Sequence, residues 1–184
     1  MKPPQAFSMG AGFKIKTKDG GGGAPAPPSG VKIEHRIGIQ ASSDAIWELI
    51  YDLSTWKDWN PLYVEAEGQV RIGSALALKM VLPGDEPMVI RPTVLEWVPY
   101  EQLHWRLRLM GGLVTTTRYI EIEQLGPASC VVSNGEIFGG LLGPYVAKRM
   151  GRKVWRGFEA MNQALKDAAE QRWRAEGGAP TSDA

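Results

Sequence analysis

The most informative segment of this chain is Asp52-Leu53-Ser54-Thr55-Trp56-Lys57-Asp58-Trp59-Asn60-Pro61. Trp56 and Trp59 are three residues apart, so on a helical turn both rings point to similar sides. Pro61 disfavours helical geometry at Asn60 and ends the turn. We predict that the two tryptophans plug one end of the core, while Asp52 and Asp58 act as capping and turn residues. The alternative is that one ring borders a ligand entrance.

The segment before it is predicted to be a strand followed by a short helix. Residues Val31–Gln40 alternate apolar and polar, with one face formed by Ile33, His35, Ile37 and Ile39. Ser42 or Ser43 then caps a helix that runs through about Tyr51.

The segment after it consists of short alternating runs separated by Gly and Pro turns. Spacing of this kind predicts hairpin-linked antiparallel strands. Pro92 indicates an edge or a bulge within its strand. The predicted strands are Leu62–Glu67, Ser74–Leu82, Met88–Trp97, Gln102–Met110, Leu113–Leu125 and Ser129–Phe138.

A long helix is predicted after the Gly139-Gly140 break, from Tyr145 to about Arg172. Its apolar stripe is Leu142, Val146, Met150, Val154, Phe158, Met161 and Leu165. Because strands and helices do not alternate as βαβ units, a parallel sheet is not expected. The prediction is an α+β fold: a curved antiparallel sheet of about six or seven strands wrapped on a long C-terminal helix, with two short helices after the first strand.

Composition limits the domain organisation and the classes of partner. Residues 1–30 are rich in Gly and Pro and are predicted to be a flexible tail; residues 31–172 form the domain and 173–184 a second tail. A net charge of +1 gives no electrostatic case for nucleic acid. The start of the chain has no apolar signal region and no run suits a membrane span, so we expect a cytoplasmic protein.

Catalytic and metal-binding motifs are scarce. Cys130 is the only cysteine, which excludes an intramolecular disulfide, and it has no adjacent base. His35 and His104 are too few for a His-rich metal centre. No HExxH, P-loop, GxGxxG or Ser-His-Asp pattern is present. We therefore predict no metal and no cofactor.

The element order and three local motifs resemble the START/SRPBCC superfamily over residues 31–170. The motifs are the Asp52–Pro61 segment, the stretch Val94…Glu96…Pro99…Leu103-His104-Trp105, and the helical segment Phe158–Lys166. The resemblance implies a helix-grip fold with a cavity between sheet and helix. It leaves function open, because the superfamily includes lipid carriers, coenzyme Q-binding proteins, hormone receptors, pollen allergens and polyketide aromatase/cyclases.

Apolar residues expected on the inward faces predict a hydrophobic ligand, such as a lipid, an isoprenoid or an aromatic compound. The candidate ligand-binding residues are Trp59, Leu78, Met80, Trp105, Leu107, Arg118, Tyr119, Met150, Val154 and Phe158. Binding or transport of such a molecule is the first functional hypothesis.

Arg118 is the most informative polar candidate because it shares strand parity with Ile120 and Ile122. If those two face inward, Arg118 does too, and it then requires a carboxylate such as Glu136 or an anionic ligand group. A bulge could instead turn it outward. Tyr119 has the opposite parity and would reach a ligand only if the parity were reversed.

Two further functions stay open. A polyketide cyclase or aromatase would need His35, Arg118, Tyr119 or Glu136 to converge in the cavity; His104 is expected to face solvent and His35 to be a satisfied core residue. The third hypothesis is an interaction protein working through a basic helix face, which could also make transient contact with an anionic membrane. That face comprises Lys148, Arg149, Arg152, Lys153 and Arg156.

Overall fold

The computed structural model describes residues 29–178. The predicted N-terminal tail, 1–30, and the end of the predicted C-terminal tail lie almost entirely outside these residues. The helices are α1 (Ser43–Tyr51), α2 (Trp56–Trp59) and α3 (Gly143–Ala175). The strands are β1 (Val31–Ile39), β2 (Tyr63–Glu67), β3 (Ala77–Met80), β4 (Met88–Ile90), β5 (Thr93–Val98), β6 (Gln102–Leu109), β7 (Val114–Gly126) and β8 (Ser129–Gly139).

The strands form two antiparallel sheets, and the α+β helix-grip prediction is confirmed. The larger sheet has the order β1-β8-β7-β6-β5, and the smaller one has the order β2-β3-β4. A bridge between Ala75 and Thr93 links them. The predicted strand Met88–Trp97 divides into β4 and β5 at Pro92, because proline has no N–H to donate to a ladder. This division raises the strand number within the described residues to eight.

Helix α3 lies against the larger sheet and supplies one wall of the core. Its buried positions include Val154, Phe158, Met161 and Leu165, as the apolar stripe predicts. Close approach is possible at Gly157, where an added Cβ would lie 3.0 Å from a methyl carbon of Leu62. The helix has 33 residues and ends at Ala175, beyond the predicted domain boundary at residue 172.

The Asp52–Pro61 segment closes one end of this core. The Asp52 carboxylate accepts hydrogen bonds from the backbone N–H and the hydroxyl of Ser54, as expected of a capping residue. Trp56 is fully buried, and its Nε1 donates to the carbonyl oxygens of Leu49 and Ile50. Trp59 is only half-buried and meets Trp56 edge to face. The helical turn thus contributes one core tryptophan and one boundary tryptophan.

Candidate functional site

A cavity of about 140 Å³ lies between the concave side of the larger sheet, the smaller sheet and α3. Most of its wall is apolar, and aromatic rings form part of it. A volume near 150 Å³ lined by apolar groups accepts a single benzene ring. Typical small-molecule sites are larger, roughly 300–1,000 Å³. The cavity in this conformation therefore admits one ring or a short chain, and a larger ligand requires its walls to move.

Three methionines make such movement feasible. Met80 on β3, Met88 on β4 and Met150 on α3 all line the cavity. Met88 is 47% exposed and lies at the rim, with Leu109 beside the solvent on β6. Methionine side chains are unbranched and fill irregular space adaptably. The cavity wall can thus change shape at these three side chains.

Glu136 is the one charged side chain among the cavity-lining residues of the described chain. It lies on β8, where Thr116 on the neighbouring strand hydrogen-bonds its carboxyl. Burial raises the pKa of Glu136 above its ordinary value of 4.5, although the nearby charge of Arg118 and the Thr116 hydrogen bond act in the opposite direction. Desolvation prevails because the carboxyl faces an apolar cavity. A proton donor or acceptor is therefore placed where a hydrophobic ligand would lie.

Arg118 is buried beside Glu136 but does not line the cavity. The two residues are directly paired across β7 and β8, so both point to the concave side. Its Nε donates to the Tyr63 hydroxyl at 3.2 Å, and its guanidinium carbon lies 3.6 Å from the centroid of the Phe158 ring. Both rings line the cavity. They consequently separate the guanidinium from the cavity space.

The predicted ligand residues fall into two groups. Lining residues among them are Met80, Trp105, Leu107, Met150, Val154 and Phe158. Leu78 is fully buried in the core, and Trp59 belongs to the helical turn. Arg118 reaches the cavity only through Tyr63 and Phe158, and Tyr119 lies on the opposite face of the sheet.

Tyr119 is committed to a polar cluster on the outer face. Its hydroxyl donates to a carboxylate oxygen of Glu34 at 2.5 Å, and its ring lies across Gly135 to reach it. The same parity that turns Arg118 inward turns Tyr119 outward. A role for Tyr119 in holding a ligand inside the cavity is not compatible with this position.

The expectation that His104 faces solvent is wrong. His104 is on the outer face, as its alternation indicates, but it is only 3% exposed. Its Nε2 is 3.1 Å from Glu121 Oε1, and the Tyr119 ring packs edge-on against it. Alternation determines which face a side chain occupies but not what covers that face.

His35 is a satisfied residue on the inner side, as predicted. Its Nδ1 lies 2.9 Å from Asn162 Nδ2, and Asn162 Oδ1 accepts from Asn134 Nδ2 at 3.0 Å. Asn134 and Asn162 are fully buried. Because neither histidine lines the cavity, the groups proposed for a cyclase do not all converge there.

Glu136, Thr116 and Tyr63 are cavity residues that the sequence prediction of the ligand set omitted. A signal for Glu136 was present, since it shares parity with Val132 and Phe138, which are buried apolar residues of the same strand. No periodicity distinguishes Tyr63, because β2 is short and irregular in its pairing with β3.

The other clefts and reactive groups of the described residues give weaker evidence of a functional site. A cleft of about 640 Å³ lies between the loops Tyr51–Ser54 and Gly68–Arg71, but its carboxylate, Asp52, already caps the adjacent turn. Burial raises the pKa of the Cys130 thiol, which disfavours the reactive thiolate. Within residues 29–178 no cluster of ligating side chains could hold a metal ion. No helix in the same range is long and apolar enough to cross a membrane.

The comparisons with known proteins agree with this architecture. Residues 30–170 match the family described as polyketide cyclase / dehydrase and lipid transport. No curated protein matches the sequence.

Solved structures share the fold at low sequence identity. The Zhui aromatase/cyclase from Streptomyces sp. R1128 is 21% identical, with a TM-score of 0.66 over 81% of this chain and 99% of its own. A norcoclaurine synthase from Thalictrum flavum is 21% identical, with a TM-score of 0.59 over 79% of this chain and 99% of its own. A START superfamily protein from Mycobacterium smegmatis is 20% identical, with a TM-score of 0.55 over 79% and 98%.

Proposed function

The chain belongs to the polyketide cyclase/dehydrase and lipid transport family, and on that premise we propose that it binds a hydrophobic small molecule in the cavity between its sheets and α3. The observation that carries the proposal is an apolar cavity with one carboxyl group, Glu136, in its wall. Sites of this kind hold a ligand by apolar contact and orient it through a few polar groups.

The side chains that line the cavity indicate which class of ligand it binds. Trp105, Phe138 and Phe158 offer rings to an aromatic or isoprenoid body, and the adaptable methionines accommodate its length. A hydroxyl or carbonyl group on the ligand would meet Glu136, Thr116 and the Tyr63 ring edge. A ligand with one polar end and an otherwise apolar body fits this distribution best.

The test uses the full chain with ¹³C-methyl methionine and 2-naphthol, a bicyclic aromatic with one hydroxyl. We expect saturable shifts of the Met80, Met88 and Met150 methyl signals, because all three side chains line the cavity. Met110 is 66% exposed and lies outside the lining set, so its signal should stay in place. Shifts of equal size at all four methionines, or none at saturating probe, would refute the proposal.

A second candidate function, a cyclase or dehydratase, is supported by the position of Glu136 in the cavity wall. A carboxyl group whose pKa is raised by burial suits general acid–base catalysis better than an ordinary exposed one. As carboxylate it would take a proton from the carbon next to a ketone, the enolate would attack a second ketone carbon to form the ring carbon–carbon bond, and the protonated acid would return the proton to the resulting alkoxide. In the dehydration the carboxylate would remove the second proton from the same carbon as the carbon–carbon double bond forms, and it would give that proton to the departing hydroxyl, which leaves as water. The positive charge of Arg118, which lies behind the Tyr63 and Phe158 rings, would stabilise the carboxylate form of Glu136.

Binding and catalysis separate in the Glu136→Gln variant, which keeps the shape of the side chain. If the protein is an enzyme, turnover of a poly-β-ketone analogue should fall by about 10²–10⁴-fold. Binding of 2-naphthol should change far less, since apolar contacts dominate it. Equal turnover by the variant and the parent would eliminate Glu136 as the acid/base group.

A further inference from the structure

Three arginines border a further pocket, on the outer side of the larger sheet. This arginine pocket has a volume of about 310 Å³ and is lined by Arg91, Thr93, Leu95, Arg106 and Arg108. Thr93 and Arg106 are directly paired across β5 and β6, and Arg108 follows two residues along β6. Arg91 precedes β5, the edge strand of that sheet. Three guanidinium groups therefore border one concavity.

The positive charge of the pocket has no counter-charge within the described chain. No carboxylate is among the lining residues. None of the three arginines forms an ion pair with a carboxylate of residues 29–178. By contrast, Arg36 on the same outer face is paired with Glu123 at 3.1 Å. Surface arginines commonly extend into solvent without a partner, so the absence of ion pairs does not by itself indicate an anion-binding site.

The Nε atom of Arg106 provides independent evidence for such a site. This atom is buried and has no hydrogen-bond partner within residues 29–178. A buried N–H without an acceptor costs about 1–3 kcal/mol, and more when the group is charged. After a rotation of the Arg106 side chain, an oxyanion in the pocket would accept from this N–H and would also meet the exposed Arg91 and Arg108. The structure thus contains an unsatisfied donor on one of the side chains that line the pocket.

We propose that the arginine pocket binds the phosphate group of a small molecule. Planar guanidinium groups bind tetrahedral oxyanions through paired N–H donors, and a phosphate monoester has enough oxygens to serve several of them. Thr93 offers a hydroxyl donor, and Leu95 an apolar surface for the carbon atoms next to the phosphate. The N-terminal segment 1–28 is a poor occupant because it contains four lysines and one aspartate.

The site is independent of the cavity. Along β6, Arg106 and Arg108 alternate with Trp105 and Leu107, so the two sets of side chains leave opposite faces of the sheet. Failure of the cavity proposal would leave the arginine pocket intact, and the reverse also holds.

The experiment titrates the full chain with phenyl phosphate by calorimetry and with phosphatidylcholine vesicles that do or do not contain phosphatidate. Arg108→Gln should weaken the interaction about tenfold or more, because a charge-assisted hydrogen bond is lost. Arg108 is exposed, so the variant should fold normally. Arg152→Gln removes the same charge from an exposed site on α3 and should change affinity by less than about twofold.

The results of these titrations distinguish a soluble phosphate ester from a lipid headgroup and from unspecific attraction. Saturable, Arg108-dependent binding of phenyl phosphate supports the proposal with a soluble phosphate ester as ligand. Arg108-dependent binding of phosphatidate vesicles alone supports it with a lipid headgroup as the source. Equal weakening by Arg108→Gln and Arg152→Gln would indicate unspecific attraction and overturn the proposal, as would the lack of binding to either probe. Binding of 2-naphthol, measured in parallel, should be unchanged in both variants.

Discussion

The guanidinium carbon of Arg118 lies 3.6 Å from the centroid of the Phe158 ring, so a buried charge stacks directly on a side chain that lines the cavity. Cation–π contacts between desolvated groups contribute about 2 kcal/mol or more. The Phe158 ring therefore has two roles: it forms part of the cavity wall and covers the arginine behind it.

Phe158→Ala tests this dual role. We expect the free energy of unfolding to fall by about 3–5 kcal/mol, the usual cost of removing a buried phenylalanine. The loss should lie at the upper end because Arg118 also loses its cover. Urea denaturation measures the change, with the exposed Tyr145→Ala as a control that should stay within about 0.5 kcal/mol. A loss for Phe158→Ala no greater than that of the control would contradict the packing described.

Glu136 predicts a specific pH dependence of stability. Its pKa is higher in the folded protein than its ordinary value of 4.5, so the folded state favours the protonated form. The contribution of Glu136 to stability is therefore fully present below pH 4.5 and is lost as pH rises through the folded-state pKa. The slope can reach at most about 1.4 kcal/mol per pH unit for one group.

Comparison with Glu136→Gln isolates this effect, because other titrating groups cancel in the difference. The free energy of unfolding of the parent minus that of the variant should decrease as pH rises from 4.5, in urea titrations at successive pH values. A difference that is flat, or that increases with pH, would show that Glu136 is not held in an apolar environment.

The buried amide network supports the junction of β1, β8 and α3. In Asn162→Leu, the side chains of Asn134 and His35 lose their partner, and each unsatisfied buried group costs about 1–3 kcal/mol. Thermal and urea unfolding should report a loss in this range. Gln163→Leu, at the next and exposed position of the helix, is the matched control and should be nearly neutral. Equal stabilities of the two variants would show that the network contributes nothing.

Gly135 allows the Tyr119 ring to cross β8. A Cβ at this position would overlap the Tyr119 ring and hydroxyl, so Gly135→Ala must displace the ring from Glu34. Overpacking of this kind typically costs about 1–3 kcal/mol. Gly38→Ala provides the control, because a Cβ there meets no atom within 4 Å. Should both alanine variants be equally stable, Tyr119 would not occupy the position described.

Sequence alternation predicted the direction of most strand side chains. It predicts that Arg118 faces the same side as Ile120, and both are buried on the concave face, so the alternative of an outward bulge is excluded. It also placed His104 on the outer face. It could not predict the covering of His104 by Tyr119, because that contact depends on a ring crossing a glycine two strands away from β6.

The cavity itself was less predictable than the fold. Its lining depends on which side chains leave space after packing, and parity carries no information on volume. Leu78 and Leu107 are both apolar strand residues, yet Leu78 is fully buried in the core and Leu107 borders the cavity. The sequence suggests Glu136 as one possible partner of Arg118, whereas the guanidinium hydrogen-bonds Tyr63 and the Gly135 carbonyl oxygen instead. It does not indicate Glu136 as the polar group of the cavity, because the intervening rings of Tyr63 and Phe158 come from other elements.

Native mass spectrometry of the full chain, before and after solvent extraction, shows whether the cavity holds a hydrophobic molecule. We expect an extractable bound mass in the parent and in Val89→Phe, whose site is 60% exposed. We expect a much smaller bound fraction in Val154→Phe, where the new ring fills the cavity. Equal bound fractions in all three proteins, or no bound mass together with no saturable binding of 2-naphthol, would contradict the binding proposal.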